Sequence, residues 1–146
     1  MKNLDDSVLK RQRNYDAKVS DAERNALAMR YVEADRPVEA LELLERTRDR
    51  DGLLRVRAWA VERGDAFVVT QTERFLRDQA TADEWRRTAE KAFAAGRWHH
   101  AKTAWERAGD EAAAARAAEK LPEPPPIGPG RRLLLKQERD GEAPAR

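Results

Sequence analysis

Among its 146 residues the chain has no cysteine and only two histidines, His99 and His100. The first absence excludes disulfides and thiolate metal sites, and the second leaves too few imidazoles for a histidine-rich metal centre. Proline is nearly missing from the body, since six of the seven prolines stand at or after Pro122 and Pro37 alone precedes them. Proline inside a helix costs about 3 kcal/mol, so its absence permits helix over the first 120 residues. No apolar run approaches the roughly 20 residues of a membrane span. The opening MKNLDD does not read as a signal peptide, so a cytoplasmic protein is expected. Glycine-rich phosphate loops are missing as well, and no cofactor is expected.

An excess of one charge is also lacking. Residues 1–20 carry five basic and three acidic side chains, residues 21–120 nineteen and twenty, and residues 121–146 five and four. The body is balanced, and the net charge of +2 arises at the ends. A nucleic-acid binder usually shows a basic stripe on the scale of a domain. Arginine outnumbers lysine 22 to 7, a bias that accompanies GC-rich bacterial genomes.

What is present is helix-forming sequence with clear start and stop signals. Ser20 with Glu23, and Thr81 with Glu84, have the spacing of capping boxes. Gly52, Gly64, Gly96 and Gly109 punctuate the body as glycine does at helix ends. Pro37 suits a first helical turn. These signals predict helices over 21–34, 37–49, 52–63, 66–79, 82–95, 97–108 and 110–120, with a weakly patterned one near 4–18 and no strands. The turns between them are so short that neighbours must pack antiparallel. Helices of three to four turns do not persist alone in water, so the pairs must stack. The expected fold is all-α: an α-solenoid of about three antiparallel helix pairs, a C-terminal capping helix and an extended proline-rich tail. The divisions are 1–19 (an extension), 20–120 (the helical repeats) and 121–146 (the tail).

Residues 83–110 are the best-formed unit. Trp85, Ala89 and Phe93 share one helix face, and Trp98, Ala101, Trp105 and Ala108 share another, with Gly96 between. Packing accounts for these tryptophans better than a ligand cage does; Trp59 stands off the best stripe of its helix, and core packing is the expectation there too, with half-exposure the alternative. The pattern Trp85, Ala89, Gly96, Trp98, Ala101, Trp105, Ala108 resembles the tetratricopeptide repeat at seven positions. In the first pair Ala28, Tyr31, Ala40 and Leu44 also fit, although Asp35 stands where glycine is expected. The middle pair keeps Gly64 but fits no single register. From Ala40 to Ala101 is 61 residues, where two repeats of the family would span roughly 68.

The resemblance implies a non-catalytic adaptor or assembly subunit that holds a peptide or helix of another protein. The groove positions it implies are Ala22, Asn25, Met29, Val32 and Glu33 on the first pair, and Asp83, Arg86, Glu90, Phe93 and Ala94 on the third. Of these, Asn25, Met29, Val32, Arg86 and Glu90 are the expected partner-binding residues. No nucleophile, base or metal-ligand set appears: His99 and His100 point about 100° apart on a helix and cannot chelate one ion. In the tail, Pro126 to Arg131 has the PxxPxR spacing read by SH3 domains, a loose pattern. Leu133, Leu134 and Leu135, flanked by cations, are expected to dock on the body or on a partner. The alternative function is a nucleic-acid-associated subunit using Lys10, Arg11, Arg13, Arg131, Arg132 and Lys136.

Overall fold

The structure is a computed structural model that describes residues 15–124. From Asp21 to Glu119, among the described residues, seven helices follow one another: α1 (Asp21–Glu33), α2 (Pro37–Thr47), α3 (Arg50–Arg63), α4 (Ala66–Leu76), α5 (Ala82–Ala94), α6 (Trp98–Ala108) and α7 (Glu111–Glu119). No strand occurs among the described residues. Both capping boxes form. The Ser20 hydroxyl accepts from Glu23 N–H at 3.2 Å while Ser20 N–H donates to the Glu23 carboxylate at 2.8 Å. Thr81 and Glu84 make the same exchange at 3.1 and 2.8 Å. Each box satisfies two amide groups that the first helical turn leaves without partners.

Helices α1/α2, α3/α4 and α5/α6 pack as pairs, and α7 covers α6. The first helices also touch in succession, α1 to α3 to α5, and so do the second helices, α2 to α4 to α6. The pairs therefore lie side by side in two layers.

Left-handed backbone marks the ends of the helices. Within the pairs it occurs at Asp35, Gly64 and Gly96, and between them at Arg48, Arg77 and Gly109. Both series advance by 29 and then 32 residues. The unequal steps account for the 61 residues between Ala40 and Ala101, and they fix the middle pair in register. Val69 is the equivalent of Ala40 and Ala101, and all three are buried. Arg57 stands level with Ala28 and Ala89, and Glu73 level with Leu44 and Trp105. Two buried charged side chains thus occupy positions that are small or apolar in the other pairs.

Each of these charges joins segments together. Arg57 donates through Nε to the Thr72 hydroxyl at 3.3 Å and through its terminal nitrogen to the Asp78 carbonyl at 2.5 Å. Glu73 Oε1 accepts from Ala80 N–H at 2.8 Å and from the Trp85 indole at 3.2 Å, while Oε2 takes Arg107 at 2.6 Å. The Arg107 guanidinium also lies over the Trp85 ring, 4.8 Å from its centroid. One carboxylate thereby ties α4, the 77–81 loop, α5 and α6. The same junction between second and third pairs includes Glu62 with both Arg87 and Lys91, and Ala66 N–H donating to His100 Nδ1 at 3.0 Å. His100 is in this way structural, held as an acceptor at the start of α4.

Three helix boundaries differ from expectation by two residues or more, the third being the start of α3 at Arg50 instead of 52. Helices α2 and α4 stop at Thr47 and Leu76, before arginines that take the left-handed conformation glycine usually supplies. Gly52 does not end a helix but lies in the first turn of α3. A Cβ there would come within 2.7 Å of Leu44 Cδ2 and 2.6 Å of the Asp49 carboxylate. The Leu44 and Asp49 side chains, rather than a turn, crowd this position.

The tryptophans divide by depth. Trp85 and Trp105 are buried, with Trp105 8% exposed. Trp98, expected in the core, is only half-buried, because it opens α6 at the edge of its layer. There it meets Phe93 edge-on at 5.0 Å and lies below the Lys120 ammonium at 5.9 Å. Trp59 is half-buried beneath Arg63 and packs against the core from its edge. Trp105→Ala should cost about 3–5 kcal/mol, the usual range for a deep aromatic. Trp98→Ala should cost about 1–2 kcal/mol, in proportion to its smaller burial. Denaturant unfolding of the two variants measures the difference, and equal losses would contradict the assignment of depth.

Candidate functional site

The expected groove residues separate into three groups. Asn25 and Met29, one turn apart on α1, line a recess of about 300 Å³ against the start of α3. Gly52 and Arg55 form the facing wall, with Asp49 and Asp51 at the rim. Met29 is half-buried and packs on the core, leaving part of its flexible thioether chain toward the opening. The Asn25 carbonyl oxygen accepts from the Thr47 hydroxyl at 2.6 Å, which orients the amide. Gly52 adds no side chain to the facing wall, and a Cβ there would meet Leu44 of α2 and the Asp49 carboxylate.

Val32 belongs to the second group. Expected on the partner-facing side, it is instead 9% exposed and part of the core. Its repeat equivalents explain the correction, because Val61 is buried and Phe93 is half-buried against Trp98 and Trp105. Arg86 and Glu90 form the third group, both exposed on α5. Arg86 pairs with Asp83 one turn earlier at 2.6 Å. They share the layer of first helices with Asn25 and Met29 but do not line their recess. Leu133, Leu134 and Leu135 lie outside the described residues, as do Lys10, Arg11, Arg13, Arg131, Arg132 and Lys136.

A second and larger opening was not expected from the sequence. A cleft of about 550 Å³ lies between the C-terminal ends of α2 and α4, over the start of α3. Arg48, Arg50, Arg74 and Arg77 line it, with Glu45 the one carboxylate among the lining side chains. Leu44 and Leu53 lie at its base, and Phe75 and Leu76 are half-buried on its wall. The legible signal was the 29-residue interval between Arg48 and Arg77, each just past a helix end. Reading it required the repeat register that the middle pair conceals.

No group of three or more histidine, aspartate or glutamate side chains could hold a metal among the described residues. None of their helices is long and apolar enough to cross a membrane. What the fold defines over the described residues is a run of paired helices, with a recess between α1 and α3 and a cleft between the ends of α2 and α4. Compared with known proteins, no family model, no curated protein and no solved structure matches this chain.

Proposed function

We propose that the chain is a non-catalytic adaptor, a short α-solenoid akin to tetratricopeptide repeats, that binds a segment of another protein on its layer of first helices. The observation that carries this reading is the recess between α1 and α3. It combines an adaptable apolar side chain, Met29, an oriented amide, Asn25, and a cation, Arg55. Methionine conforms to varied apolar anchors, while the amide and guanidinium suit a polar backbone or a carboxylate. The recess is short, so its ligand is a single helix or a few extended residues. Stacking of helix pairs with a small rotation per step commonly generates curved binding faces of this kind.

Affinity capture from cells of the source organism tests the proposal. The double variant Met29→Glu/Arg55→Glu should lose its partner at least about tenfold while keeping its helical circular dichroism, since both side chains border solvent. Arg86→Glu, on the same layer but outside the recess, reports whether the ligand continues along α5. Unchanged capture by the double variant would remove the recess from the binding surface.

A further inference from the structure

We propose that the arginine-lined cleft is a second docking site, for an acidic segment of a partner protein. Its carboxylates would be held by Arg48, Arg74 and Arg77, and an apolar side chain would rest on Phe75 and Leu76. The inference relies on the adaptor reading and adds to it a site on the opposite layer.

Charge is the first support. Residues 21–120 are balanced overall, yet four arginines face one glutamate in this cleft. Arg50 is engaged with Asp78 at 3.2 Å. Among the described residues, Arg48, Arg74 and Arg77 make no ion pair, and all three are exposed. Unpaired guanidinium groups present planar forks that match carboxylates two bonds at a time.

Backbone conformation is the second. Arg48 and Arg77 hold φ of 54° and 52°, in the left-handed region. The equivalent turn of the third pair uses Gly109. Glycine adopts this conformation without steric cost and arginine does not. The turn itself therefore gains nothing from either arginine. Both guanidinium-bearing side chains border the same cleft, which gives the strained turns a common chemical purpose.

The occupant follows from the walls. Leu44, Leu53, Phe75 and Leu76 supply an apolar base that a phosphate backbone would not use. Binders of single-stranded nucleic acid also rely on several exposed aromatic platforms, and here Phe75 is alone and half-buried. The chain's own leucine segment is a poor charge match, because Arg131, Arg132 and Lys136 flank Leu133, Leu134 and Leu135. An acidic protein segment with an apolar anchor meets both the charge and the base.

Fluorescence anisotropy on the full chain tests the proposal, using a labelled synthetic peptide in which glutamates flank a leucine–phenylalanine pair. Saturable binding is expected, falling with added salt. It should weaken at least about tenfold in Arg48→Gly/Arg77→Gly. The melting temperature of that variant should hold or rise, because glycine relaxes both turns. A glutamine version of the peptide should not bind. The proposal is overturned if the peptide does not bind, if the double variant binds it normally, or if the glutamine version binds equally. A single-stranded oligonucleotide bound as tightly, with the same arginine dependence, would make the cleft a phosphate site instead. Tighter peptide binding after Leu133, Leu134 and Leu135 are changed to serine would make the chain's own tail the occupant. If Met29→Glu/Arg55→Glu abolishes partner capture while the acidic peptide fails to bind, this proposal falls and the adaptor reading stands.

Discussion

Gly64→Ala is expected to destabilise the protein by about 2–5 kcal/mol, combining strain in a left-handed residue with overpacking. Gly64 has φ of 63°, and a Cβ there would lie 2.3 Å from Ala92 N and 2.8 Å from Ala92 Cα. The obstacle is the backbone of α5, which no rotamer change can move aside. The close approach holds the end of α3 against α5, so relief requires the second and third pairs to separate. Gly109→Ala is the internal control, with φ of 80° and nothing within 4 Å of the new Cβ. It bears the conformational cost alone, about 1 kcal/mol relative to glycine. Equilibrium unfolding of both variants isolates the contribution of the contact. Equal losses would mean that α3 and α5 yield freely at this point.

Glu73→Ala should cost about 3–5 kcal/mol, since it strands two buried donors at about 1–3 kcal/mol each. The change removes the acceptor for Ala80 N–H and the Trp85 indole, both buried, and leaves Arg107 without its carboxylate. Arg107 is 41% exposed along its side chain, so water recovers part of its solvation. The unsatisfied amide and indole therefore dominate the loss. Glu73→Gln separates the contributions. Its amide oxygen can serve Ala80 and Trp85 as Oε1 does, while its amide nitrogen meets Arg107 donor to donor. A loss of about 1–3 kcal/mol is expected, confined to the charged contact. A glutamine variant as unstable as the alanine variant would show that the ion pair, not the acceptor, holds the junction.

Glu73, together with Arg57, also shows why the middle of the fold resisted reading. Repeat patterns are recognised by small residues where helices cross and aromatic residues between them. The third pair keeps to that rule with Ala89, Ala101 and Trp105, and its helices were legible to within a residue. In the middle pair Arg57 and Glu73 occupy the corresponding places, satisfied by partners 7 to 34 residues away. Local pattern carries no sign of such remote bonds. Capping boxes, by contrast, close within four residues and were read directly from Ser20 and Thr81.

The recesses follow the same division. Asn25 and Met29 lie one turn apart on a single helix, and their common face was legible. Val32 was assigned to that face because the repeat resemblance gives positions but not depth. The arginine cleft draws on three helix ends. Two of those ends were placed too far along the chain, because arginine is not the residue expected at a left-handed stop.

Glycine at position 52 has a consequence for how the two layers communicate. The first turn of α3 is a shared partition: Gly52 and Asp51 border the recess beside α1, while Arg50 and Leu53 border the cleft beside α4. A molecule that shifts this turn toward one side changes the room left on the other. Coupling between two such sites is reciprocal by thermodynamic necessity, each occupant altering the affinity of the other by the same factor. Gly52 has no side chain to wedge the partition, and it is braced by Leu44 on the cleft side and Asp49 at the recess rim. The recess and the cleft thus share one helical turn, the first of α3.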